Sequence, residues 1–170
     1  MSNSGKILVA GLGSAHGDDQ AGWLVAETVG EQFRSHPDVV VRRAMIPLDV
    51  LDWLESVNIL HICDACETTQ RHEKLQRFIW NAGQLFHSDK ADDSDVNAAL
   101  KLRRGRGSHD FGLFDVLRLA EKTGMLPKTV ILWAIAGNSF QPEDVLSDET
   151  RDTVVEAVHG LVTELRLSHA

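Results

Sequence analysis

Cysteine is nearly absent from this chain. Only Cys63 and Cys66 occur in 170 residues, and they lie too close together to staple a fold, so a disulfide framework is not the design. Long apolar runs are missing as well: none approaches the roughly 20 residues that a membrane-spanning helix needs. Basic charge is not in excess. The formal net charge is −8, which argues against nucleic acid or an anionic membrane as the main partner, because both require a basic face. The short polar stretch Met1–Gly5 leads straight into an apolar run, without the pattern of a secretory leader. Cytoplasm is therefore the expected compartment and a monomer the expected state. There is no internal repeat and no sign of a second domain, so residues 1–170 are expected to form one domain.

What the chain does contain is an alternation of strand-like and helix-like segments. Lys6–Gly11 is a continuous apolar run of strand length, the pattern of a strand buried on both faces. Gly22, Val25, Ala26, Val29 and Phe33 recur at helical spacing, which predicts a helix from about Asp18 to Phe33. Val39–Val41 reads as a short strand, Leu48–Leu54 as a brief helix, and Asn58–Cys63 as a third strand ending at Asp64. Lys74–Trp80 has a mixed pattern compatible with another strand. From His87 to Gly107 the chain turns polar, acidic first and then basic through Lys101, Arg103, Arg104 and Arg106. A segment of this length and composition is expected to be a flexible surface excursion. Leu113, Val116, Leu117 and Ala120 mark a helix that stops near Gly124, and Thr129–Ala136 is the last strong strand. Ser147 is placed to cap a final helix, with Val154, Val158, Leu161 and Leu165 as its buried stripe. The class expected is α/β: a three-layer sandwich with a twisted, mostly parallel, five-stranded sheet flanked by helices on both faces.

The glycine turn Gly11-Leu12-Gly13-Ser14-Ala15-His16-Gly17 invites a dinucleotide reading, which fails twice. Its third glycine is one position late, and Asp18 and Asp19 occupy the helix start where a pyrophosphate would sit. Adjacent helical residues point about 100° apart, so both acids cannot cap one helix equally well. Asp18 is the expected cap, and Asp19 is the one expected to face the crevice at the carboxyl ends of the strands. Asp64 ends a buried strand and is expected at the same crevice. Cys63 and Cys66 have the spacing of a redox or soft-metal pair, but one such pair is weak evidence, and a buried residue plus a free thiol is the plainer reading. His109 stands at the start of an amphipathic helix, where the dipole favours neutral imidazole, a form suited to a metal ligand or a base. His16, within the glycine turn, is the second-choice ligand; the other histidines are expected mostly at the surface. Two carboxylates and an imidazole suit a borderline divalent ion. No serine or cysteine nucleophile with an adjacent base is evident.

Taken in order, Gly11-Leu12-Gly13 with Gly17-Asp18-Asp19-x-x-Gly22, then Asp64-Ala65, then Ser108-His109-x-x-Gly112-Leu113 resemble the hydrogenase maturation endopeptidases. These proteases trim the large subunit of nickel–iron hydrogenases, and the resemblance runs from about Lys6 to the final helix. It implies a central twisted sheet between helices and a nickel-contacting trio, carried here by Asp19, Asp64 and His109 as both metal-contacting and catalytic residues. It implies that the nickel belongs to the substrate: the protease checks that the large-subunit precursor is loaded, then removes its C-terminal extension. The chain departs from the family pattern at Ser14, where asparagine is usual, and at Gln20, where glycine is common. Cys63, Cys66 and the Gly137-Asn138-Ser139 segment are also unusual for it. A different reading is a non-proteolytic nickel-binding or metallochaperone module on the same fold, which the two thiols favour.

Overall fold

The computed structural model describes residues 5–68, 73–88, 100–102 and 112–168. Its centre is a sheet of seven strands among these residues: β1 (Lys6–Leu12), β2 (Val39–Ala44), β3 (Val57–Thr68), β4 (Leu75–Asn81), β5 (Gln84–His87), β6 (Leu100–Leu102) and β7 (Thr129–Ala136). The strand order is β2-β1-β3-β7-β4-β5, and β6 pairs with β3 outside that path. β2, β1, β3 and β7 run parallel to one another. β4 lies antiparallel to β7, β5 to β4, and β6 to β3. The α/β class stands, and the expectation of five mostly parallel strands is corrected to a mixed sheet of seven. The extra strands come from a tight hairpin and from the polar segment. Ala82 and Gly83 both take positive φ, 47° and 82°, the backbone of a two-residue turn that matches strand twist. Leu100–Leu102 falls inside the 87–107 stretch expected to be an excursion, yet it pairs with Cys66–Thr68. Most of the remaining stretch lies outside the described residues.

Three helices are described: α1 (Ala21–Gln32), α2 (Leu113–Lys122) and α3 (Asp148–Ser168). The predicted Asp18–Phe33 helix opens instead as a 3₁₀ turn, Gly17–Gln20, before α1, and the brief helix near Leu48 is a 3₁₀ helix over Pro47–Trp53. Alternation along the strands separates two cores. One gathers Val9, Cys63, Ala65, Trp133 and Ile135 against α1 and α3, through Val25, Val29, Leu161 and Leu165. The other gathers Leu8, Ala10, Leu60, Ile62, Cys66 and Leu132 against the second 3₁₀ helix and α2, through Val50, Leu54, Leu113 and Leu117.

Contact between α1 and the sheet is unusually close. A Cβ built on Gly22 would stand 2.2 Å from the Leu12 carbonyl oxygen and 2.3 Å from that of Cys63. Only glycine lets the helix backbone settle directly on β1 and β3, and this contact carries the preceding turn, with its two acids, onto the ends of those strands.

Candidate functional site

α1, which follows β1, covers one face of the sheet, whereas α2, which leads into β7, covers the other. The order β2-β1-β3 therefore places a topological switch point between β1 and β3, the place where open α/β sheets form their crevice. Both acids singled out in the sequence stand at this point. Asp19 lies in the 3₁₀ turn directly after β1. On β3, pairing with β1 ends at Gly11 opposite Cys63, and Asp64 is the next residue. The expectation that β3 ends here needs correction, because pairing with β7 continues through Asp64 to Cys66. Asp64 thus sits where one neighbouring strand leaves and the other stays, 6% exposed. By strand alternation its side chain shares the face of Ile62 and Cys66, the face covered by α2. His109 lies outside the described residues; the described chain resumes at Gly112, the N-cap of α2.

The two adjacent acids have divided their work. Asp18 is fully buried and does not cap its own helix, as had been expected of it. Its carboxylate instead accepts the N–H groups of Asn138 at 2.8 Å, Ser139 at 3.0 Å and Ser147 at 2.7 Å, and the Ser147 hydroxyl at 2.9 Å. Burial alone would raise its pKa, but these bonds outweigh burial and hold it below the ordinary carboxylate range. The Gly137-Asn138-Ser139 segment, unusual in sequence, is the cradle for this carboxylate. Ser147 caps α3 as predicted, taking the Thr150 N–H on its hydroxyl at 3.3 Å and the Arg151 N–H on its carbonyl at 2.9 Å.

Asp19 is half-buried and takes a different partner. The Ser14 hydroxyl donates to its Oδ2 at 2.6 Å, and the Ser14 hydroxyl oxygen in turn accepts the His16 N–H at 3.4 Å. Asp19 returns a bond of its own, its N–H to the His16 carbonyl at 3.0 Å. His16 itself is exposed. The role of Ser14 was not read from the sequence, where it appeared only as a departure; a hydroxyl five residues before an acid, across a glycine turn, was the available signal. Among the described residues no three His, Cys, Asp or Glu side chains are grouped as a metal cage.

The two thiols do not act together. Cys63 belongs to the core under α1 and Cys66 to the core under α2, on opposite faces of β3. Both are buried and free. Burial first, and the Asp64 carboxylate second, push the Cys63 thiol up strongly and the Cys66 thiol to about 12. Lying on opposite faces of β3, the two side chains do not converge as a redox couple or a joint soft-metal clamp.

His61 was not expected in the interior, yet it is 1% exposed. The Trp133 indole N–H donates to its Nδ1 at 3.2 Å, so the proton of the neutral ring sits on Nε2.

No protein-family model matches the sequence, and no curated protein matches it. Solved structures do. The hydrogenase maturating endopeptidase HybD from E. coli is 22% identical, with 96% of this chain and 93% of that one covered and a TM-score of 0.67. The nickel–iron hydrogenase maturation protease HycI from Thermococcus kodakarensis KOD1 is 18% identical, with 95% and 92% covered and a TM-score of 0.65. The hydrogenase 2 maturation peptidase from Thaumarchaeota archaeon SCGC_AB-539-E09 is 26% identical, with 94% and 97% covered and a TM-score of 0.62. The fold is that of the hydrogenase maturation proteases. The first two of the ordered motifs, at Gly11–Gly22 and Asp64-Ala65, lie on described elements of this architecture, whereas most of the third, around His109, lies outside the described residues. Among the described residues no helix is long and apolar enough to cross a membrane.

Proposed function

We propose that this chain is an endopeptidase of hydrogenase maturation, which removes the C-terminal extension of a nickel-loaded large-subunit precursor and uses the bound nickel as its recognition element. The observation that carries the reading is the siting of Asp19 and Asp64 at the switch point between β1 and β3, in a fold shared with maturation proteases. The nickel is part of the substrate. Asp19 and Asp64 supply carboxylate oxygens toward it and His109, four residues ahead of Leu113 in the α2 helix that covers the Asp64 face, supplies a nitrogen. This is a donor set suited to a borderline divalent ion. Three protein ligands leave positions for groups of the precursor and for a water. Held by these residues, the substrate's nickel would anchor the cleavage segment, and the chemistry it could supply there is polarisation of a carbonyl or activation of a water. The thiols, which favoured a nickel-holding module without proteolysis, lie on opposite sheet faces and give that reading no support. The reaction is placed in the cytoplasm, the compartment expected from the sequence.

The test is processing. Asp19→Ala, Asp64→Ala and His109→Ala are each expected to abolish the electrophoretic shift from precursor to mature large subunit, while thermal unfolding of the purified variants stays cooperative. A mature large subunit in cells carrying only Asp64→Ala refutes the assignment.

A further inference from the structure

Beside the carboxylate turn, three large apolar side chains in succession face solvent. Met45 is 74% exposed, Ile46 45% and Leu48 43%. They follow β2 and open the 3₁₀ helix Pro47–Trp53. They are also held in place. Asp49 Oδ2 accepts the N–H groups of both Met45 and Ile46, at 3.1 and 3.3 Å, and the Asp49 N–H donates to the Ile46 carbonyl at 3.2 Å. Pro47 restricts the backbone between them, and Val50 and Leu54 anchor the helix in the core. A ledge fixed in this way cannot turn its apolar groups inward.

The ledge is joined to the turn that carries Asp19. The Ala44 carbonyl, immediately before Met45, accepts the Gly13 N–H at 3.2 Å and the Trp23 indole N–H at 2.9 Å. Gly13 packs so tightly on the turn that a Cβ there would lie 2.1 Å from the Asp19 carbonyl oxygen. Two charges bordering the ledge are engaged: Asp49 caps, and Arg43 pairs with Glu27 at 2.6 Å while lying 4.5 Å over the Trp23 ring. What the ledge itself presents is an apolar surface beside the turn that carries Asp19.

We infer that Met45, Ile46 and Leu48 dock an uncharged, apolar segment of the polypeptide substrate next to the bond presented to Asp19 and Asp64. The inference rests on the endopeptidase reading and adds a subsite to it. A second copy of this chain is a poor occupant, because three side chains fall well short of the roughly 800 Å² per partner that a stable dimer buries. A peptide subsite needs only one or two such side chains seated on apolar surface, and burying them contributes enough for about tenfold or more in affinity.

The experiment is a calorimetric titration of the large-subunit precursor, extension intact, into full-length protein carrying Asp64→Asn so that the precursor stays uncut. Adding Met45→Ser and Ile46→Ser should weaken Kd about tenfold or more, whereas Met45→Leu with Ile46→Val should keep it. Met45→Ser alone, at the most exposed position, serves if the double variant loses its cooperative unfolding. An unchanged Kd in the serine variants overturns the subsite. So does a wild-type dimer that these variants turn into monomer by sedimentation, since the ledge is then a self-interface. Ledge-dependent binding without cleavage by the unsubstituted enzyme overturns the peptidase reading and leaves the subsite standing. No binding of the precursor to the Asp64→Asn protein, together with no cleavage by the unsubstituted enzyme, overturns both.

Discussion

Ser147 and Asp18, 129 residues apart, meet through two hydrogen bonds: the Ser147 N–H reaches Oδ1 at 2.7 Å and its hydroxyl reaches Oδ2 at 2.9 Å. The same hydroxyl oxygen takes the Thr150 N–H, so one serine caps the start of α3 and clamps the turn after β1. With Asn138 and Ser139 completing the set, Asp18 is the buried tie that holds the neighbouring Asp19 on the rim. Its work is architectural, and its chemistry follows from burial: a charge without solvent has to be met by donors.

Asp18→Ala leaves three N–H groups and a hydroxyl without their shared acceptor. The expected cost is about 3 kcal/mol or more, as for other buried charges stripped of a partner. Urea unfolding at neutral pH measures it. Asp18→Asn is also expected to destabilise, because its amide turns one donor toward donors. Since the folded carboxyl is held below its ordinary pKa, its contribution is present above the unfolded carboxylate range and is lost as pH falls through the folded value. A variant as stable as wild type disposes of the clamp.

A buried neutral histidine gives a second pH dependence. Burial is the main reason that His61 titrates at about 4 rather than 6.5; Glu164 pulls the other way and Arg77 reinforces burial. The unfolded chain therefore binds a proton that the folded chain refuses between pH 6.5 and about 4. Stability from this residue is complete above 6.5 and falls across that window, by about 3 kcal/mol in all. In His61→Gln, which keeps an acceptor for the Trp133 indole, denaturant midpoints should lose this component of the slope between pH 6.5 and 4.5. An unaltered slope rules out His61 as its source.

Much of the architecture was legible because it depends on local pattern. Lys6–Gly11 read as a two-sided buried strand and is one, since parallel strands under two helical layers have no polar face to show. Ser147 was recognisable as a cap for the same reason. The misses share a different cause: distant partners. The sequence Asp64-Ala65-Cys66 contains nothing that says β7 keeps pairing past the acid after β1 has left. His61 looks polar until Trp133, 72 residues away, supplies its hydrogen bond. The hairpin over Ala82 and Gly83 lacks the Asn-Gly or Asp-Gly pair that announces such turns. Helical geometry said only that the two acids differ; the cap expected of Asp18 is instead a tie to Asn138, Ser139 and Ser147, which come from the far end of the chain and leave no local signal.

Gly22 makes a test of how the turn is seated. Its position is helical, so propensity alone predicts that alanine would help by up to about 1 kcal/mol. The carbonyls of Leu12 and Cys63, at 2.2 and 2.3 Å from the added carbon, predict the reverse. Neither is the end of a flexible side chain, so α1 has to lift from the sheet. Gly22→Ala should lower stability by about 2 kcal/mol or more, in the range of overpacked cores, and should impair processing with it. A more stable variant by thermal denaturation removes the close-contact argument.

Ser14 is the residue through which Asp19 can be adjusted without touching it. Its hydroxyl holds Oδ2 at 2.6 Å, which restrains the carboxylate and, on the proposed reading, leaves Oδ1 to face the substrate's nickel. Groups that orient a metal-binding carboxylate typically govern about ten- to a hundredfold in affinity or activity. Ser14→Ala is accordingly expected to slow processing of the nickel-loaded precursor by about tenfold at least, with the unfolding midpoint little changed because the site is partly open to solvent. Ser14→Thr, which restores a hydroxyl at the same carbon, should recover most of the rate. Failure of threonine to rescue, with both variants equally folded, shows that Ser14 acts on the loop backbone through His16 rather than on the carboxylate.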